Sequence, residues 1–417
     1  MESLATSSVS TPAQTGPDQA SSTVMELEKK YLFQNYARYP LVLTRGKGCY
    51  VYDTQGKRYL DLITGIGVNA LGHAHPRLLK SLRQQAGRMI HASNLYYNEY
   101  QGKLAERIAK LSGLDRVFFC NSGAECMEGA LKIIRAHGRK LNPEKFETVA
   151  LNGSFHGRTF GALSITGQEK YRHDFEPMLP GARFIHRNDI TALEQVVTDR
   201  TAGIVLEVVQ GEGGIYPMTP EFIRKARELA TRHNALLVFD EIQCGVGRPG
   251  TYFAYQTMEP PVMPDIMVAA KPLACGLPLG FIAANEVAAQ SIAPGQHGTT
   301  FGGGPLACRV ALEFFDILEG LLPKIVDMGA YFRMHLMELA KKHSFIKEVR
   351  GFGLMIGIEL DFPGKQLVLD GIENGILINC THDTVLRMLP PYIITEQEID
   401  RAVKVLDRLF KKIKSAA

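Results

Sequence analysis

From about residue 100 the chain alternates short runs of β-branched and aromatic residues with longer segments in which apolar residues recur every third or fourth position. RVFFC (116–120) leads into GAECMEGALKIIRAHG, where Ala124, Met127, Leu131 and Ile134 fall at helical spacing. AGIVLEVV (202–209) precedes EFIRKARELATRH (221–233), which feeds ALLVFD (235–240); DIMVAA and GFIAAN follow as further apolar runs of strand length. The alternation predicts an α/β fold of parallel strands joined by crossover helices. The two ends read differently, with a polar, hairpin-like GCYVYDTQGKRYLDL near the start and RGFGLMIGIEL followed by a charged last helix. The pattern therefore predicts a large domain over 76–307 and a smaller one that joins 25–75 to 308–417. Residues 1–24, rich in Ser, Thr, Ala and Pro, read as a disordered tail.

Composition narrows the partners. The 417 residues are 45% apolar, enough for two domains, and the net charge of +4 arises from 47 basic and 43 acidic residues with no dense basic block. Neither nucleic acid nor a membrane surface is indicated. Seven scattered cysteines with no CxxC pair argue against a disulfide framework or zinc site and for a reducing cytoplasm. The N-terminus lacks the basic start and apolar core of a secretion signal, its first basic residue being Lys29. His73 and His75 have no third ligand near them in sequence, so no metal is expected, and GIGVNALG (65–72) has the wrong spacing for a dinucleotide loop.

In open parallel sheets ligands bind beyond the carboxyl ends of the strands, so chemistry belongs to residues that close apolar runs. Asp240 closes ALLVFD and Lys271 closes DIMVAAK. Taken alone, Asp240 reads first as a helix or turn cap and Lys271 as a solvated strand end. CNSGAE (120–125) turns a strand into a helix, which is either an N-cap by Asn121 or Ser122 or an anion seat. GSFHGRT (153–159) puts an aromatic, a histidine and an arginine in one loop, and HGTTFGGGP (297–305) clusters hydroxyls and glycines. Pyridoxal 5'-phosphate uses all of these: an amine for its aldehyde, a carboxylate for its ring nitrogen, helix N–H groups for its phosphate and an aromatic plate. On that reading Lys271 stands at its strand end to bond the cofactor and move protons.

GKGCYVYDTQGKRYLDLITGIGVNALGHAHP, SNLYYN, FFCNSGAE, SFHGRTFGALSITG, VVQGEGG, FDEIQCGVGR, AAKPLACGLPLG and HGTTFGGGPLAC occur in register with the class III aminotransferases, and the chain from Tyr36 onward resembles that family. The resemblance implies the fold-type-I architecture, a large domain with a mainly parallel seven-stranded sheet and helices on both faces. It implies Ser122, Gly123 and Ala124 on the phosphate, Phe155 stacked on the ring, Asp240 on the ring nitrogen, Gln243 on the ring hydroxyl and Lys271 as the amine. Thr300 is implied to reach the phosphate of the neighbouring subunit's cofactor, which makes a homodimer with shared active sites. Tyr36, Arg158 and Thr299 are implied on the substrate side, Arg158 clamping the α-carboxylate. Glu212 and Arg387 match a switch pair in which the glutamate masks the arginine until a dicarboxylate arrives. The implied reaction moves the ω-amino group of an acylated diamino acid, N2-acetyl-L-ornithine foremost, to 2-oxoglutarate. Ornithine, 4-aminobutyrate or succinylornithine are alternative donors, and an aminomutase, epimerase or decarboxylase is the alternative of another class. Cys244, Pro272 and Gly304 depart from the family's usual wording, and the first two raise the question of a reshaped pocket wall.

Overall fold

The structure, a computed structural model, describes residues 17–416. Its central sheet has seven strands in the order Arg116–Cys120, Gly280–Ala284, Ile266–Ala269, Leu236–Asp240, Thr201–Glu207, Glu147–Leu151, Ala182–Ile185. Neighbours run parallel except Gly280–Ala284, which is antiparallel to the strands on both its sides. The apolar runs are continuous because both faces of the sheet are covered. Side chains alternate between two cores: Leu237 and Phe239 enter the larger, Leu236 and Val238 the smaller. The helix Gly123–Leu141 buries Met127, Ala130 and Ile134 in the smaller core, which fixes its N-terminus at the carboxyl edge of the sheet.

The chain ends meet in a second sheet. Leu43–Lys47, Tyr50–Asp53 and Arg58–Asp61 form an antiparallel meander, and Ile376–Leu377 joins it in parallel, Ile376 opposite Leu60. A third sheet, Ile346–Phe352, Met355–Leu360, Val385–Met388 and Asn379–Thr381, is wholly antiparallel. Among the described residues no helix is long and apolar enough to cross a membrane.

The expected disordered tail needs correction where it is described. Pro17–Tyr31 is a helix that takes in residues 17–24, while residues 1–16 lie outside the described part. Its hydroxyl-rich stretch is tolerated because the helix faces solvent, Lys29 and Lys30 suit its last turn, and Ser21 Oγ meets Thr54 Oγ1 at 2.5 Å.

Candidate active site

A cavity of about 520 Å³ opens at the carboxyl edge of the central sheet, and both charges that close apolar runs line it, Asp240 and Lys271. The strand Ile266–Ala269 ends in a sharp bend. Ala270 has φ −153° and ψ −118°, Lys271 is left-handed at φ +30°, and a 3-10 turn Lys271–Ala274 follows with Pro272 in its first turn. A lysine in that region costs about 1–3 kcal/mol, offset here by the buried turn behind it. The bend turns the side chain into the cavity, where Nζ makes no hydrogen bond or ion pair with a described residue. Burial lowers the Lys271 amine from its ordinary pKa and the charge of Arg387 adds to this, against the opposing pull of Glu212, Asp240 and Glu207.

Asp240 is buried, and each of its oxygens has a partner. His156 Nδ1 donates to Oδ2 at 2.7 Å, and Ile242 N donates to Oδ1 at 3.0 Å. Burial pulls the His156 imidazole down, but its hydrogen bond to Asp240 and the charges of Asp240 and Glu207 outweigh this and leave it above its ordinary value. The carboxylate is thus held in one orientation by an imidazole whose own Nε2 is buried and has no partner among the described residues. His156, which sequence alone left between packing and cofactor contact, is Asp240's hydrogen-bond partner.

Across the cavity, Ser122 caps the Gly123–Leu141 helix by accepting from Glu125 N at 3.2 Å, and Glu125 Oε2 accepts from Asn121 N at 2.6 Å. This reciprocal cap leaves the amides of Gly123 and Ala124 facing the cavity. Phe155 and Gln243 also line it. Arg158 lines the mouth, exposed, its guanidinium 4.0 Å over the Tyr171 ring and paired with no described carboxylate.

Glu212 lines the cavity and meets Arg387 Nη1 at 2.5 Å. Arg387 is 1% exposed, and it also donates to Gln243 Oε1 at 3.0 Å and, through Nε, to Asn379 Oδ1 at 3.1 Å. Burial would raise the Glu212 carboxyl, but the charge and hydrogen bond of Arg387 hold it below the ordinary range, helped by Lys271 and Gln243.

Three sequence-derived residues stand apart in the single chain. Thr300 is exposed and does not line the cavity. Thr299 touches its rim indirectly, its Oγ1 accepting from Asn121 Nδ2 at 3.1 Å. Tyr36 is 68% exposed and lines a separate cavity of about 950 Å³ between the N-terminal segment and residues 372–379. Neither Cys244 nor Pro272 is in the wall of the first cavity: Cys244 is buried beneath it, and Pro272 sits in the turn behind Lys271.

Glu207 was missed. It ends its strand directly opposite Asp240, and its carboxylate accepts from Phe155 N at 2.9 Å and Gly211 N at 3.0 Å. Burial pushes its pKa up to about 7, against the charge of His156. The rule that found Asp240 applies to it, but two valines after Glu207 disguised the strand end.

A lysine amine and a helix-terminus anion seat on either side of one oriented carboxylate is the arrangement of the fold-type-I pyridoxal phosphate transferases. The backbone agrees: the crystal structure of an ornithine aminotransferase from Toxoplasma gondii superposes with a TM-score of 0.90 at 34% identity, covering 95% of this chain and 96% of that one. An acetylornithine aminotransferase from Elizabethkingia anophelis gives 0.83 at 32% identity, covering 94% and 99%. The chain belongs to the class-III aminotransferase family, whose model, "Aminotransferase class-III", matches residues 31–410, and it is an aminotransferase. It is 48% identical over 393 residues to the acetylornithine aminotransferase of Methanocaldococcus jannaschii, covering 94% of this chain and 98% of the relative.

The family implies pyridoxal phosphate, and the residues present fit it. The two free amides at a helix N-terminus match a phosphate, the oriented Asp240 matches a protonated ring nitrogen, and the unpartnered Lys271 amine matches an aldehyde.

Proposed function

We propose that this aminotransferase transfers the ω-amino group of N2-acetyl-L-ornithine to 2-oxoglutarate, as a cytoplasmic homodimer with shared active sites. The observation that carries the reading is the buried Arg387 paired with Glu212 on the cavity wall. An arginine that a neighbouring carboxylate neutralises tolerates a donor with an uncharged distal group. The same arginine, once uncovered, offers a fork to the second carboxylate of 2-oxoglutarate. The relatives named for acetylornithine support that donor; ornithine, which the Toxoplasma gondii structure's name carries, is the second reading.

Bound pyridoxal phosphate supplies the electron sink that lets a C–H bond beside nitrogen ionise. The protein does the rest. Gly123 and Ala124 amides and the Ser122 turn would hold the phosphate, with Phe155 to pack on the ring and Gln243 to bind its hydroxyl. Asp240 would keep the ring nitrogen protonated, and His156 fixes Asp240. Lys271, its amine made less basic by burial, accepts and returns the proton at Nζ. Arg158 orients the substrate's α-carboxylate, with Tyr36 and Thr299 on the same side.

The homodimer is supported by surface left uncovered in one chain. Ile90, Leu95, Tyr96, Tyr97 and Phe301 are exposed, and Asn94 ties their loop to the 299–302 turn through the carbonyls of Thr299 and Gly302. Thr300 on that turn then serves the neighbouring subunit. Seven unpaired cysteines accord with a reducing compartment. The test is a panel of amine donors against 2-oxoglutarate with glutamate formation as readout: acetylornithine is expected to lead, and a panel led by ornithine or 4-aminobutyrate would replace the donor while leaving the reaction.

A further inference from the structure

Glu212 sits in an unpromising place for a residue that must hold one position. It lies at the tip of a hairpin whose arms are Val209–Gln210 and Tyr216–Pro217, and the tip reads Gly211, Glu212, Gly213, Gly214, Ile215. Three glycines give the tip wide backbone freedom, and Gly214 at φ +112° with Ile215 at φ +59° uses it. Something outside the hairpin has to hold it still.

The third sheet does so. Arg350, Gly357 and Arg387 lie in one row across three of its strands, Gly357 opposite Arg350 on one side and Arg387 on the other. The row faces the tip: a Cβ on Gly357 would press on Ile215 at 3.2 Å, so the glycine makes room for the tip between two arginines. Arg387 grips the Glu212 carboxylate, and Arg350 grips the backbone two residues on, giving both Nε (2.9 Å) and Nη2 (2.6 Å) to the Gly214 carbonyl. Arg350 is 6% exposed and rigidly held. Its Nη1 reaches Glu348 at 2.8 Å and Glu359 at 2.5 Å, and its guanidinium lies 3.7 Å over the Tyr216 ring, whose hydroxyl donates to Glu359 at 2.6 Å. Thr381 of the same sheet donates to the Glu212 carbonyl at 2.6 Å.

We propose that Arg350, fixed by Glu359 and Tyr216, is a positioning residue for donor selection: by holding the Gly214 carbonyl it keeps Glu212 on Arg387 and so sets how readily a dicarboxylate displaces it. This rests on the reading of Glu212 and Arg387 as a switch. A fork donating twice to one carbonyl has no substitute in a lysine or a methionine. Loosening the tip leaves Glu212 a weaker competitor for Arg387, so dicarboxylates bind better and neutral donors lose their advantage.

The test uses the holoenzyme and follows the bound cofactor's absorbance in each half-reaction, together with calorimetric binding of glutarate, an unreactive dicarboxylate. For Arg350→Met, the ratio of kcat/KM for glutamate to that for the neutral donor is expected to rise about tenfold, and glutarate to bind about tenfold tighter. Glu359→Gln, which keeps its shape and is the safer fold, is expected to move both in the same direction by about threefold. A merely structural arginine would depress both half-reactions together and leave the ratio and glutarate affinity within twofold of the parent; that result in Glu359→Gln and Arg350→Met overturns the proposal. Arg387→Ala separates the two ideas. If it slows both half-reactions equally, the switch itself is wrong; if it is selective while the Arg350 and Glu359 variants are not, only the positioning role falls.

Discussion

The wall of the site that faces the sheet and the wall that faces solvent are built to different rules. On the inner wall Asp240, His156 and Glu207 are buried, each is anchored by hydrogen bonds, and all sit on or directly against strand ends. On the outer wall Arg158 is exposed and pairs with no described carboxylate, and Glu212 rides on a glycine-rich tip; Thr300 and Tyr36 lie off the cavity altogether. The groups that must never move were given partners within one chain. The groups that must exchange substrates were left open, or held by contacts that can be broken.

Substitutions on the inner wall should cost the most. Lys271→Ala should reduce transamination by about 10⁴-fold, because proton transfer loses the amine positioned in the cavity, while the far-ultraviolet circular dichroism stays that of the parent. Substantial glutamate formation by this variant would move the chemistry elsewhere. Asp240→Asn keeps shape and removes charge, and turnover should fall by about 3–4 kcal/mol of barrier, with each 1.4 kcal/mol a factor of ten. His156 would then lose the charge that holds it above its ordinary value, so the imidazole proton seen by nuclear magnetic resonance should titrate lower than in the parent.

On the outer wall a selective effect replaces a general one. Arg387→Ala should slow the glutamate half-reaction by about 10- to 100-fold, equivalent to about 1.5–3 kcal/mol, and spare the neutral donor, as single-turnover absorbance can read separately.

The two walls should also respond to pH in opposite directions. Glu241, under the inner wall, is buried and accepts from Ala254 N and Tyr255 N, and burial pushes its pKa up to about 8. A carboxyl raised on folding lends stability that is complete below its unfolded pKa of about 4.3 and is lost as pH rises through about 8. Glu212 is held low by Arg387, so its share is present above about pH 4.3 and lost on acidification. Melting curves should therefore show the parent losing a few degrees relative to Glu241→Gln between pH 5 and 8, and relative to Glu212→Gln only below pH 4.5. Parallel slopes in the two variants would erase the distinction between the walls.

Sequence reading reached the inner wall through one rule, that chemistry sits where an apolar run ends in a charge. Asp240 and Lys271 obeyed it visibly, and the Ser122 turn announced itself by its cap. Glu207 obeyed it invisibly, because Val208 and Val209 continue the apolar run after the chain has left the sheet. Strand direction was also hidden: GFIAAN looks like its parallel neighbours, since burial on both faces erases any mark of orientation. The outer wall was legible only through family resemblance. Nothing in a lone Arg387 or Arg350 distinguishes a buried guanidinium from a solvated one until the third sheet is assembled around it.

Because Gly280–Ala284 runs against its neighbours, the chain travels from Ala269 to Gly280 along one edge of the sheet, with no crossover helix to carry it to the other. Both ends of that return belong to the site: Ala270, Lys271 and residues 276–279 line the cavity, with the turn at 272–275 behind them. Shuffling or loop-grafting aimed at new amine substrates should find this return intolerant of changes in length. By contrast, the exposed stretch at 259–261, which is not part of the cavity lining, offers a seam where extra sequence can be carried without touching the chemistry.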